Sequence, residues 1–421
     1  MPRALQPRPR RRSALVLGAT AAFAMVLIGC TPQPMPTPTP TPTQTVAPSG
    51  DGVLRIGTLL PTTGGALAGA AQLAGVHAAV REINAAGGVG GVPVEVVSRD
   101  SGDASTETAE TSFAALLERG VDVIVGPSSA ALVERILPLA IEAGIPLISP
   151  AVTATGLGAD ADGFFARTIP AAELQGATLA RLVDERRART VALIAGADEV
   201  STSIAASFED ALADAGVELV ATATVAEASG AASAVATVAA EKPSAVVLAT
   251  PDGGEVTVAV LAELVEEGLS GSRLWLTSRN LGDYSAALPA GALQGVSGVL
   301  EGVRPDAAFL AKLRIEDPGL GSARFAAESY DATVLAALAA VLAGDDGGPS
   351  IAWRLGDVTR DGIRCTSFGE CIDVLNSQPD IAYAGLTGEL ALDATGTPTR
   401  AQYGVFRYDA DNRPQFDRPA G

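Results

Sequence analysis

Residues 190–225 read TVALIAGADEVSTSIAASFEDALADAGVELVATATV, and the fold is decided there. Thr190–Ala195 is a continuous Val/Leu/Ile run, the pattern of a strand buried on both faces of a parallel sheet. A helix over Ser201–Ala215 and a second strand over Val217–Val225 follow. The alternation extends in both directions. Helix Ala171–Arg187 lies upstream, with Leu174, Leu179, Leu182 and Val183 on one face, as a sheet-covering helix requires. Downstream come helix Ala231–Glu241, strand Ser244–Ala249, helix Gly253–Glu267 and strand Arg273–Thr277.

Nearer the N-terminus a first series has the same character. Its strands are predicted over Val53–Leu60, Val92–Arg99, Val121–Val125 and Ile145–Ser149. Helices Ala66–Asn84, Ala104–Arg119 and Ala130–Ala143 lie between them, the first stopped by Gly87-Gly88. Two such series imply an α/β protein with two doubly wound parallel-sheet lobes. The 140-odd residues that remain include a strong helix over Phe325–Leu342 and return to complete both lobes. Ligands of open parallel sheets sit beyond the carboxyl ends of strands. Those ends carry Pro61–Gly65, Gly126–Ala130 and Ser149–Thr153 in one lobe, and Gly196–Ser203, Thr250–Gly254 and Ser278–Asp283 in the other. Facing each other, they would line a small-molecule cleft.

Composition narrows the function. The 421 residues include 48% hydrophobic, 18% charged and only 4% aromatic residues, enough for substantial cores. Net charge is −19. Removal of residues 1–29 takes five arginines and leaves 24 basic against 48 acidic residues, a surface that disfavours nucleic acid. His77, mid-helix beside Val76 and Val80, is the single histidine, and there are three cysteines. Metal and His-dependent catalysis are therefore not expected, and neither is a cofactor.

Gly88-Val89-Gly90-Gly91 precedes a strand instead of following one, so it reads as a turn and not a dinucleotide loop. No P-loop or nucleophile elbow occurs. Glu263, Glu266 and Glu267 read as a solvated helix face. Asp345-Asp346-Gly347-Gly348 lacks the ligand spacing of a calcium loop and reads as a surface loop. Nothing assembles a nucleophile with a base, so no enzyme is expected.

The first fifty residues are an address and a tether. Arg8, Arg10, Arg11 and Arg12 precede an apolar run, Ser13 to Gly29, which describes an export signal over residues 1–29. Its ending, Leu27-Ile28-Gly29-Cys30, resembles a bacterial lipobox, which implies a lipid on Cys30; an uncleaved anchor is the alternative. Residues 30–50, rich in Thr-Pro repeats, form a semi-rigid stalk. An extracytoplasmic, membrane-anchored location follows. In that oxidising setting Cys365 and Cys371 pair in a disulfide in preference to binding zinc.

Several short motifs then accumulate: Ile56-Gly57, Pro61-Thr62-Thr63-Gly64, Ile83-Asn84-Ala85-Ala86-Gly87-Gly88-Val89, Gly126-Pro127, Pro146-Leu147-Ile148-Ser149-Pro150, Arg167-Thr168, Tyr330-Asp331-Ala332 and Tyr403-Gly404-Val405. In order and spacing, across residues 51–415, the chain resembles the type I extracytoplasmic solute-binding proteins of the leucine/isoleucine/valine-binding kind, which serve ATP-driven importers. The resemblance implies two lobes joined by a three-crossover hinge, the crossovers near Arg167, Val299 and Gly385. Lobe one would comprise residues 51–168 and 300–384, lobe two 169–299 and 385–421. It also implies a monomeric receptor for a small polar solute, with the subunits of a permease as partners. A cell-surface sensor that signals through a protein partner has the same fold, and an exported hydrolase is a third, disfavoured reading.

The family's pocket carries over in part. Its carboxylate-binding serine falls on Ala130, with Ser128 and Ser129 just before it. The positions that cradle the amino group fall on Ala151 and Thr153, and a tyrosine of lobe two falls on Val200. The acid that meets the substrate's ammonium falls on Arg279, where a cation opposite an ammonium is unfavourable. Three alternatives stay open: Arg279 binds a ligand carboxylate, Asp252 or Asp198 replaces the missing acid, or Arg279 points away from the cleft. With Arg279 in the cleft, the expected ligand is a neutral or anionic polar solute.

Overall fold

A computed structural model describes residues 46–63, 69–251, 253–302 and 306–420. The export signal, Cys30, most of the stalk, Asp252 and the loop 64–68 lie outside the described residues.

Lobe one begins with β1 (Arg55–Leu60), α1 (Gly69–Ala85), β2 (Glu95–Asp100), α2 (Thr108–Leu117), β3 (Val123–Val125), α3 (Ala130–Ala143), β4 (Leu147–Ser149) and β5 (Phe165–Arg167). The strands form one parallel sheet in the order β2-β1-β3-β4-β5. The unbroken Val/Ile/Leu character of β3 and β4 has its cause here: both are buried along their whole length, with helices on each face. α1 ends as expected at Gly87-Gly88, which adopt φ of +108° and +75°, a region that suits residues without a Cβ. β5 escaped the sequence reading because it is three residues long and carries an arginine.

Lobe two contains α4 (Ala172–Glu185), β6 (Thr190–Ala195), α5 (Glu199–Ala215), β7 (Glu218–Thr224), α6 (Ala231–Ala240), β8 (Ala245–Ala249), α7 (Glu255–Glu266), β9 (Leu274–Leu276) and β10 (Ser297–Glu301). Five parallel strands, β10-β9-β8-β6-β7, continue into the antiparallel pair β14 (Tyr403–Tyr408) and β15 (Pro414–Pro419). Two apolar clusters cover the two faces of this sheet.

Between β10 and β14 the chain returns to lobe one through α8 (Ala307–Glu316), α9 (Ala326–Ala343), α10 (Gly348–Arg354), β11 (Ile363–Cys365), α11 (Phe368–Leu375), β12 (Ile381–Gly385) and β13 (Gly388–Glu389). By length and composition α9 could cross a bilayer, but it is a core helix, packed against α1 and buried over 83% of its length. β11, β12 and β13 form a small sheet of their own, and Cys365 and Cys371 are joined by a disulfide beside it. Asp345 and Asp346 bind the arriving chain, accepting the amides of Ser49, Gly50 and Gly52.

The third crossover lies later than Gly385. β12 turns back on itself to pair with β13, and Leu390 and Leu392 enter the core of lobe one. Ala401 and Tyr403 are the first residues to join lobe two again, so the crossing falls near residue 400. The family resemblance placed the crossing at Gly385, where the chain instead makes the tight turn of the β12–β13 hairpin.

Candidate functional site

Parallel pairing of β6, β8, β9 and β10 sends their carboxyl ends to one edge of lobe two. The corresponding edge of lobe one carries the turns after β3 and β4. Ser149 Oγ ties those turns together: it donates to the Pro127 carbonyl at 2.7 Å and accepts from the Val152 amide. Ser128, Ser129 and Ala130, all half-buried, therefore lie beside the Ala151–Thr153 segment. Ser128 Oγ donates to Gln72 on α1 at 3.0 Å, and Ser129 opens α3 without a side-chain cap. Thr153 lends its carbonyl to the Ala172 amide at the start of α4, so that carbonyl holds the hinge.

The lobes meet at the start of α5. Thr155 Oγ1 lies 3.3 Å from Glu199 Oε1 and 3.4 Å from Ser203 Oγ. Val200 packs against the apolar clusters of both lobes. Behind them Arg167 is buried, its guanidinium bound to the Val152 and Ala154 carbonyls and to Thr397 Oγ1, which pins the first crossover to the chain approaching the third.

Arg279 sits in the turn after β9 and donates through Nη1 to Asp198 Oδ1 at 2.6 Å. Asp198 caps α5, accepting the Ser201 amide and, on its other oxygen, the Ser201 hydroxyl. Burial alone would raise the Asp198 carboxyl, but the bonds from Ser201 and Arg279 hold it below the usual range. The guanidinium thus has a carboxylate partner within its own lobe. Of the two acids offered as substitutes, Asp198 is the one beside Arg279, and Asp252 lies outside the described residues.

The end of β10 holds what the sequence reading passed over. Glu301 Oε1 accepts from Gln175 Nε2 at 2.7 Å and from Ser278 Oγ, in the same turn as Arg279. Opposite, the first turn of α9 in lobe one carries Glu328, which is only 7% exposed. Burial pushes its carboxyl up to about 8; its own backbone amide and Arg324 oppose the rise, and Asp331 and Glu301 add to it. Glu301 and Glu328 both line a cavity of about 310 Å³ with Leu281, Phe325 and Phe406. One signal was available: two acids, Glu328 and Asp331, in a largely apolar helix demand an explanation.

Among the described residues, no three His, Cys, Asp or Glu side chains gather as a metal site, and His77 lies half-buried on α1.

A sequence model of periplasmic binding proteins matches residues 53–411. The chain is 28% identical over 366 residues to the chemotactic signal transduction system substrate-binding protein BasB of Halobacterium salinarum, covering 82% of this chain and 84% of that one. Among solved structures, the branched-chain amino acid transporter substrate-binding protein LivJ of Streptococcus pneumoniae, in complex with isoleucine, shares 23% identity. The match covers 87% of this chain and all of that one at a TM-score of 0.64. An ABC-transporter solute-binding protein of R. palustris, in complex with benzoate, shares 19% identity over 88% of this chain and 97% of its own, with a TM-score of 0.62. The two lobes, their crossovers and this match over most of the length agree, and the chain belongs to the periplasmic binding protein family.

Proposed function

We propose that the protein is an extracytoplasmic receptor, lipid-anchored through Cys30, that binds a small solute between its lobes and hands it to an ABC-type permease. The cavity at the end of β10 carries this reading, because lobe two supplies Glu301 and Leu281 while lobe one supplies Phe325 and Glu328. A ligand there is held fully only when both lobes touch it, so binding favours the closed form. The protein acts as a monomer and performs no chemistry on the solute. A thermal-shift screen across amino acids, amines, amides and carboxylates, followed by small-angle scattering with each hit, tests the receptor reading. Hits should compact the protein, and a complete absence of hits and of compaction overturns it. Cys30→Ser should release the protein or leave an unprocessed precursor; normal processing with unchanged membrane retention overturns the anchor.

The chemotaxis relative favours a second reading, a surface sensor that signals through a protein partner. Deleting the chain should abolish solute uptake under the first reading. Under the second, uptake persists and only the behavioural response is lost.

A further inference from the structure

The hinge end of the cleft sets two carboxyl groups from opposite lobes on one small cavity whose remaining walls are largely apolar. Glu301 is already engaged by Gln175 and Ser278 through Oε1. Glu328 is held only by its own backbone amide: among the described residues no side chain donates to its carboxyl, although the residue is 93% buried. Gly302, at φ +79°, is the reason the carboxyl can lie against the end of β10, because a Cβ there would sit 2.9 Å from Glu328 Oε1. The carboxyl thus keeps acceptor capacity that faces open space of ligand size.

We propose that this cavity holds the cationic nitrogen of the solute, with Glu301 and Glu328 as its acceptors and Leu281, Phe325 and Phe406 around a compact apolar body. This rests on the receptor reading and assigns the ligand class within it: a small primary amine or amino acid, with its ammonium anchored away from Arg279. The choice of a cation over an anion follows from the charges present. Arg279 pairs with Asp198, whereas among the described residues the cavity has two carboxyl groups and one cation, Arg324, which is exposed and stacks on the Phe325 ring at 4.8 Å.

Binding then moves a proton. The groups that act on Glu328 are Asp331 on its own helix, Glu301 from β10 and Arg324 just before α9. The two acids favour the neutral form, which an empty site holds below about pH 8. The ligand arrives as an ammonium, Glu328 gives its proton to solvent, and the carboxylate accepts an N–H. One proton leaves for each ligand bound below that value, so apparent affinity rises with pH by up to about tenfold per unit and then levels near pH 8.

Calorimetry of the full chain with three probes on one carbon skeleton tests this: 3-methylbutylamine, leucine and 4-methylpentanoate, each at about pH 6.5 in buffers of different ionisation heat. The expected result is binding of at least one of the two ammonium compounds, none of 4-methylpentanoate, and release of close to one proton. Glu328→Gln keeps the shape of the neutral acid; it should weaken ammonium binding by about tenfold or more, abolish the proton release and flatten the pH profile. Glu301→Gln should weaken binding and leave a pH dependence. Preferential binding of 4-methylpentanoate, binding of leucine or the amine without proton release, or a Glu328→Gln protein with an unchanged profile overturns the proposal. Closure around 4-methylpentanoate in scattering would overturn it while sparing the receptor reading. Silence from these probes, with hits elsewhere in the solute screen, does the same. Silence throughout overturns both.

Discussion

The first turn of α9 and the turn that follows it each bury an acid, three residues apart, in opposite surroundings. Asp331 points into lobe one, where it accepts from Tyr383 Oη, the Leu386 amide, and both the amide and hydroxyl of Thr387, all within 3.0 Å. Glu328 points at the interlobe cavity, where among the described residues only its own backbone amide donates to it. Burial raises both carboxyls; at Asp331 four donors from another segment answer it, whereas at Glu328 the only hydrogen bond that does so comes from its own backbone amide. A buried acid with four donors is part of the scaffold. One held only by its own backbone amide, beside a cavity, is available to a ligand.

The largest expected effect breaks the scaffold side of that contrast. Asp331→Ala strands four buried donors and should destabilise the protein by about 3–5 kcal/mol. Urea unfolding with an unchanged slope would measure it, and a loss below about 1 kcal/mol would erase the contrast.

The second prediction concerns the other acid without ligand. A group whose folded value is raised contributes stability that is complete below its unfolded value and is lost as pH climbs through the folded one. For Glu328 that window runs from about 4.5 to about 8. Asp122, raised to about 7 chiefly by burial, acts in the same direction over a lower window. Glu328→Gln should therefore match the parent protein near pH 4 and exceed it near pH 8, by on the order of a few kcal/mol at most. Thermal melts across this range check it, and a parallel pair of curves would show that folding does not raise the carboxyl.

Third, the scaffold side can be sharpened through the strand that reaches Asp331. Cys365 lies opposite Tyr383 in the β11–β12 pairing, so the disulfide braces the segment that carries one of the four donors. Replacing both cysteines with serine closes no loop in the unfolded chain and should cost about 2 kcal/mol. Reductant should lower the melting temperature of the parent protein and leave that of the double variant unchanged.

The smallest effect concerns Arg279, for which the sequence left open a place in the cleft or one pointing away from it. Arg279 and Asp198 are each about one-third exposed, and such pairs contribute about 0–1 kcal/mol. Arg279→Ala should change stability by no more than this and reduce ligand affinity by less than Glu328→Gln does. Asp198→Ala should cost about 1 kcal/mol, because it also removes the cap of α5. If Arg279→Ala were the more damaging of the two to binding, the ligand's charge would have to be reassigned.

What the sequence determined by itself was the scaffold. Unbroken apolar runs can be satisfied only as strands buried on both faces, and their alternation with amphipathic helices leaves a doubly wound arrangement as the simple solution; the Ala130–Ala143 helix and the Thr190–Ala195 strand keep the bounds read from composition. These are local properties, carried by neighbours within a few residues. The loops that meet at the cleft were legible too, since parallel strands send their carboxyl ends to one edge. Tertiary structure alone decided which side chains share a space there. Glu301 and Glu328 are 27 residues apart and belong to different lobes, and Arg279 finds Asp198 across 81 residues of chain. No periodicity reports such a meeting. Whether a charge is answered by a neighbour, and so is available to a ligand or not, is settled by through-space distance and burial, which a linear order of residues does not contain.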